Sequence, residues 1–473
     1  MWRIPVFLIL LWMSASAGAQ ESPCSQSIDE FVDRVLPASG APGIAYAIID
    51  DGTVCTGTRG EALSGSGHLV TADTPFQLGS ISKSFTALAV LQLVDADRVE
   101  LDSPIADYLD VFDGQAAGHV TIRQLLSHTS GYSTFQGNLF QTRRNDGPDA
   151  LADNVRELAH LEPARVADRQ WQYSNANYLI LGRLVEAVSG RAFADYIQAE
   201  ILDPAGMNNS FVADGGSYEH VARGHRPWFG TKRAMEGWRF ARGGAPAGGI
   251  VASANDVARY LAILMNGEDD LISAESKALM FQPASPASPF YGFGWSLDVD
   301  GGTAFHTGVS PGVETIAALS PSENRGVVVL VNSGSGIGFG ENTELLSGIA
   351  TLGLGQTYEG GRSRLQQKAF FVTLVILPFV FLGSMVAAWK LRRGLRAKSG
   401  WAGRFSLWFP LAATLAMAWC FVGLVPRLFG VSLATLHLYA PDLAILLVAG
   451  AVTGVAWSIF RLGVFYSAKR QTR

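Results

Sequence analysis

A serine three residues ahead of a lysine, Ser80-Ile81-Ser82-Lys83, is the first piece of chemistry in this chain. On a helix that spacing puts both side chains on one face about one turn apart, so the amine can touch the hydroxyl. Ser80 follows Gly79 and opens an apolar-periodic run with Ile81, Phe85, Leu88 and Leu91 on one helical face. The hydroxyl then sits at a helix N-terminus, which favours developing negative charge. A lysine desolvated beneath it loses its proton near neutral pH, because burial disfavours the ammonium, and can activate the hydroxyl. The plainer alternative is a capping serine beside a solvated lysine. Tyr173-Ser174-Asn175 adds a phenol and an amide two residues apart, suited to a proton relay and a substrate-orienting hydrogen bond. His306-Thr307-Gly308 reads as part of a strand flanking a cleft. Taken singly, Tyr173 is a half-buried tyrosine, Asn175 a turn residue and His306 a strand-edge histidine. Together with Ser80 and Lys83 they describe nucleophilic attack on an acyl carbon.

These three motifs occur in order, with PFQLGSISKSFTALAVLQLV, LLSHTSGY, QYSNANYLILG, AGGIVASANDVARYLAILMNG and YGFGWSLD between and around them. The set resembles the serine β-lactamase and penicillin-binding-protein superfamily, in the branch with tyrosine in the second motif: class C β-lactamases, D-amino-acid carboxypeptidases and related esterases. The resemblance runs roughly from Ile28 to Asn332. It implies an acyl-enzyme on Ser80 and a Tyr173 that acts as general base and then acid, its phenol acidified by Lys83. It also implies substrate contacts from Asn175, as a donor, and from His306, Thr307 and Gly308, with the backbone N–H groups of Ser80 and Val309 holding the oxyanion. His306 departs from the better-known pattern, which has lysine there to anchor a substrate carboxylate. A histidine is mostly neutral at pH 7 and gains a proton below about pH 6.5. Esters and other peptides are therefore expected ahead of β-lactams and D-alanyl peptides, with a preference that drifts with pH.

Gly308-Val309-Ser310-Pro311-Gly312 also fits the Gly-x-Ser-x-Gly elbow of α/β-hydrolases. That elbow needs a helix after its serine, whereas VETIAALS alternates like a strand. It also needs a later histidine, and the only one, His437, lies in the hydrophobic C-terminal region. The net charge of −5, with no basic stripe in the globular part, argues against nucleic-acid binding. No GxxxxGK[ST], GxGxxG after a strand, HExxH or paired CxxC occurs, so no metal and no organic cofactor is expected. The remaining histidines, His68, His119, His128, His160, His220 and His225, are scattered and are expected to pack individually or lie on the surface.

The elements that must position these groups divide the 473 residues into an exported domain and a membrane region. MWRIPVFLILLWMSASAGAQ has an arginine, an apolar stretch and the small run Ala17-Gly18-Ala19, which describe a signal peptide over residues 1–19. Export makes a disulfide between Cys24 and Cys55 a candidate. Residues 20–355 form the hydrolase domain, 356–367 a polar linker, 368–466 a three-span membrane region and 467–473 a tail. The spans are Ala369–Trp389, Phe405–Val425 and Leu443–Val464, each meeting the requirement of about 20 apolar residues. Lys390, Arg392, Arg393, Arg396, Lys398 and Arg404 crowd the first loop, while the second holds only Arg427. The positive-inside rule puts that first loop and the C-terminus in the cytoplasm and the domain outside, in the periplasm or beyond a bacterial inner membrane.

Within the domain, GIAYAIIDDGTVCTGTRG reads as a hairpin turning at Asp50-Asp51-Gly52, and strands return late in YGFGWSLDVD, TAFHTGV, ETIAALS and GVVVLVNS. Between them lies a mostly helical half, including a helix with a Ser253 and Asp256 capping box that ends at Gly267. The expected fold is α/β: an antiparallel sheet flanked by helices, with an inserted helical domain and Ser80 between the two. The function expected is a membrane-anchored, exterior-facing serine hydrolase acting on a small-molecule ester, peptide or cell-wall-related substrate. The competing expectation is a non-catalytic ligand-binding sensor coupled to the membrane helices. Three spans exceed what tethering needs.

Overall fold

The computed structural model describes residues 26–467 except 144, 238, 299–301 and 362. Residues 1–19, expected to be a signal peptide, and Cys24 lie outside the described residues; Cys55 is disulfide-bonded and Cys420 is free.

Strands β1 (Gly43–Asp50) and β2 (Thr53–Gly60) form the first hairpin. Its two-residue turn uses Asp51 and Gly52, both with positive φ (47° and 78°), the geometry whose twist matches a right-handed ladder. β3 (Ser296–Asp298), β4 (Thr303–Ser310), β5 (Val313–Ser320) and β6 (Arg325–Val331) complete the sheet. Its order is β2-β1-β6-β5-β4-β3, antiparallel throughout, so the two ends of the domain meet where Ile44 pairs with Val331. β5 follows Ser310 directly, so the elbow reading of that serine fails on geometry.

Helix α1 (Gln26–Ser39) covers one face of the sheet with Phe31 and Val32, joined near the end of the domain by Leu345 and Ile349 of Thr343–Gly353. The other face packs on the helical half around α2 (Ser82–Asp95) and α3 (Asn175–Ser189). α2 is buried on every side from Ser82 to Leu91, not on the single face its periodicity suggested. It is the central helix between the halves, and polar Ser82, Ser84 and Thr86 on its other faces are satisfied by hydrogen bonds rather than by water.

The capping box at α4 (Ala254–Met265) is half formed. Ser253 accepts from the Asp256 amide at 3.2 Å, but the Asp256 carboxylate turns to Asn209, Ser210 and Arg259. Tertiary partners outcompete the local one. Gly267 lies just past the helix with φ 68°, the left-handed geometry expected where a helix ends.

After α5 (Thr343–Gly353), three helices among the described residues are long and apolar enough to cross a membrane: α6 (Leu365–Lys390), α7 (Gly400–Trp419, continuing to Leu428) and α9 (Pro441–Tyr466). Each extends a few residues beyond its expected span. α7 widens into a π-bulge at Cys420–Leu424 just ahead of Pro426, whose missing N–H interrupts the helical ladder. The short helix α8 (Leu433–Tyr439) lies between α7 and α9, at the end of the bundle opposite the basic loop.

Candidate active site

Ser80 sits in a tight turn, Gly79–Ile81, that leads into α2. Gly79 has φ 55°, and a Cβ there would lie 2.7 Å from the Val309 amide nitrogen. The approach works from the other side as well: a Cβ on Gly308 would overlap the Leu78 carbonyl oxygen and the Thr315 hydroxyl. β3 pairs with β4 only through Phe305, so the edge of β4 from His306 onward is open to this turn. Glycine on both sides therefore lets the nucleophile turn dock backbone to backbone on the strand, next to Val309. Ser80 and Val309, the two residues expected to hold an oxyanion through their amides, line the same cavity of about 300 Å³.

Lys83 reaches up from the first turn of α2, its Nζ 3.1 Å from Ser80 Oγ and 2.6 Å from the carbonyl oxygen of Ala247. It is fully buried, with the rings of Tyr173 and Tyr178 at 5.0 and 5.6 Å, and among the described residues no carboxylate is a hydrogen-bond or ion-pair partner. Desolvation alone pushes its pKa well below the ordinary lysine value. An unpaired buried amine of this kind is held ready to accept a proton.

Tyr173 is half-buried with its hydroxyl enclosed, and that desolvation raises its pKa; the nearby Ser80 hydroxyl pulls the other way and Tyr439 adds to the rise. Its hydroxyl has no partner of good hydrogen-bond geometry. The expectation of a phenol acidified by Lys83 is thus corrected. Both groups are driven toward their neutral forms, which leaves the amine free to accept a proton.

Asn175 begins α3 and donates through Nδ2 to Asn138 Oδ1 at 2.8 Å, leaving its own Oδ1 buried and unpaired. Its Oδ1 can accept from a substrate N–H, and Nδ2 keeps a second hydrogen for the expected donation. His306 alternates inward on β4 and is only 4 % exposed. Its Nδ1–H donates to the Thr307 carbonyl at 2.8 Å, so Nε2 accepts from the Tyr291 hydroxyl at 3.1 Å. Burial first, and then the charge of Lys83, push its pKa down to about 3. Neither His306 nor Thr307 is on the cavity wall, which β4 reaches through Val309. The expectation of a histidine titrating near pH 6.5 against a substrate carboxylate is corrected accordingly. Two pH units above its pKa, only about 1 % of the imidazole is charged. The ratio of kcat/KM for a carboxylate-bearing ester over a neutral one should therefore show no inflection between pH 5.5 and 7.5; a slope centred near pH 6.5 would return His306 to the binding role.

Other residues, missed along the sequence, complete the site. Arg143, Arg226 and Arg239 line the cavity and carry the positive charge that position 306 does not. His128, in the segment LLSHTSGY, is buried among Tyr173, Tyr178, Tyr291 and Trp171. Its Nδ1 accepts from the Ser174 amide at 3.2 Å and lies 3.0 Å from Asn177 Nδ2, which positions the loop carrying Tyr173. Its φ of 60° marks a backbone held by its surroundings, a signal no sequence pattern carries. Among the described residues no group of His, Cys, Asp and Glu side chains is arranged to hold a metal.

Residues 26–348 match the family model described as Beta-lactamase. Penicillin-binding protein 4 of Amycolatopsis lactamdurans is 32% identical over 333 residues, covering 66% of this chain and 86% of its own length. The protein flp of Staphylococcus aureus (strain MRSA252) is 26% identical over 416 residues, covering 83% of this chain and 81% of its own. Among solved structures, the octameric penicillin-binding protein homologue from Pyrococcus abyssi aligns with a TM-score of 0.57 at 25% identity, over 65% of this chain and 73% of its own. The D-amino acid amidase from Ochrobactrum anthropi SV3 shares the fold, with a TM-score of 0.59 at 22% identity, over 68% and 95% of the two chains.

Proposed function

The chain belongs to the Beta-lactamase family, and from that premise we propose that it is a membrane-anchored serine hydrolase that faces the cell exterior and cleaves esters or amides through an acyl-enzyme on Ser80. The observation that carries this reading is the buried amine of Lys83, 3.1 Å from Ser80 Oγ and without an acidic partner. In acylation Ser80 Oγ bonds to the acyl carbon while its proton passes to Lys83 Nζ. The amides of Ser80 and Val309 hold the oxyanion. As the tetrahedral intermediate collapses, Tyr173 gives its hydroxyl proton to the leaving oxygen or nitrogen and regains one from Lys83. Water then attacks the acyl-enzyme by the same route in reverse, which restores the serine and releases the acid.

The arrangement of charge supports the orientation. The basic segment Lys390–Arg404 and the C-terminal end of α9 lie at one end of the bundle, with the domain and α8 at the other. A sensor would gain nothing from burying an unpaired amine against a hydroxyl, since that burial costs stability.

One experiment tests nucleophile and orientation together. A membrane-impermeant fluorophosphonate added to intact spheroplasts should label Ser80, identified by peptide mass, and should fail to label Ser80→Ala. Undiminished labelling of the alanine variant would refute the nucleophile, and labelling only after lysis would invert the topology.

A further inference from the structure

The segment between the second and third membrane helices folds back onto the site at both its ends. At one end, the Gly430 carbonyl accepts from Asn138 Nδ2 at 2.9 Å, and Asn138 is the residue that holds Asn175. Gly430 has φ 66° and lies so close to Thr134 that a Cβ would come within 2.8 Å of its methyl group. The Thr134 hydroxyl in turn donates to the Tyr173 carbonyl at 2.6 Å. At the other end, the Arg226 guanidinium donates to the Leu438 carbonyl at 3.2 Å, and the Phe229 amide donates to the carboxylate of Asp442, itself 3 % exposed, at 3.1 Å. Between these anchors Ala434, His437, Leu438 and Tyr439 form part of the wall of the Ser80 cavity. Tyr439 is near enough to Tyr173 to act on its phenol electrostatically. Holding a domain at a membrane requires one span and none of these contacts.

We infer that residues 429–440 are a specificity-determining wall of the acyl pocket, and that the substrate is an amphiphile whose extended apolar acyl group lies against Ala434, Leu438 and Tyr439 while its other end stays at the membrane surface. This deepens the hydrolase reading above and rests on it. Phe140, Leu179, Phe240 and Val309 add apolar surface to the same cavity, beside the arginines that line it. Apolar surface of this kind rewards buried hydrocarbon. Large apolar side chains also occupy exposed positions near the docked segment: Phe135 beside Gly430, and Leu428 and Phe429 leading into it. Because this wall joins two membrane helices, the pocket lies at the bilayer face of the domain, where such a substrate resides.

The test uses the full-length protein in nanodiscs, with 4-nitrophenyl acetate and 4-nitrophenyl dodecanoate as substrates and a fluorophosphonate to count active Ser80. Wild type should favour the dodecanoate in kcat/KM per labelled site by at least about tenfold. Ala434 is exposed on α8, so Ala434→Trp can fill the pocket without disturbing packing, and it should lower the dodecanoate to acetate ratio by about tenfold or more. Tyr439→Ala, which removes the same wall rather than thickening it, should also change the ratio. A wild-type preference for acetate would overturn the amphiphile, and an unchanged ratio in both variants would overturn the wall. If neither ester is hydrolysed and Ser80 takes no phosphonate, it is the hydrolase reading that has failed.

Discussion

Replacing Lys83 by methionine should abolish most turnover and, at the same time, make the protein more stable. In the proposed reaction the amine accepts the proton of Ser80 and returns it to the leaving group through Tyr173, so its loss should lower kcat/KM by about 10³-fold, within the range for positioned acid–base groups. Folding, meanwhile, buries an amine whose partners are a hydroxyl and one carbonyl, with no acid to pair it. Methionine of similar length fills the space without that desolvation, and a gain of about 2 kcal/mol in unfolding free energy is expected. The sign of the pH dependence follows from the lowered pKa of Lys83. The folded chain releases this proton below the ordinary lysine value of 10.5, which the unfolded chain retains. Stability from this group is therefore fully present above that value and is lost as pH falls toward the folded pKa, by at most about 1.4 kcal/mol per pH unit. The advantage of Lys83→Met should be large at neutral pH and shrink toward pH 10. Denaturant melts of both proteins at pH 7 and 9.5 measure it. A variant that is less stable than wild type at pH 7 would show that Lys83 is not held as a strained, neutral base.

Gly308→Ala should be nearly as damaging to activity, through one methyl group. Gly308 has no unusual φ, so alanine is acceptable to its backbone. The difficulty is contact: the Leu78 carbonyl oxygen and the Thr315 hydroxyl, themselves hydrogen-bonded at 2.8 Å, occupy the space of a Cβ. β4 must move off the Gly79–Ser80 turn, carrying the Val309 amide away from the point where the oxyanion forms. Overpacking of this kind costs about 1–3 kcal/mol of stability. Losing one aligned oxyanion donor costs about 10²-fold or more in kcat. Because the donor acts on the transition state, the fall should appear in kcat with KM changed far less. A fully active Gly308→Ala enzyme would show that strand and turn do not touch in solution. Phosphonate labelling that slows in parallel with kcat would support the displaced amide.

Spacing along a single element was legible without any structure. Ser80 and Lys83 share a helix face because they are three apart, Asp51-Gly52 turns a hairpin, the late strands carry alternating or apolar runs, and three stretches are long enough to span a bilayer. Each is a local property, fixed by backbone geometry and side-chain type within about 20 residues. What tertiary structure decided was environment. His306 looked like a titrating substrate contact and is a buried neutral group, because Tyr291, 15 residues away, seals it against its own strand. Tyr173 looked like an acidified phenol, and desolvation of its enclosed hydroxyl raises its pKa instead. Asn175 turned its amide to Asn138, and Asp256 left its own helix cap for Asn209 and Ser210. The docking of Gly430 on Asn138 joins groups 292 residues apart in the chain. Periodicity records which side of an element is apolar but holds no information about which distant element will cover it, and pKa values, hydrogen-bond choice and the shape of the acyl pocket all depend on that cover.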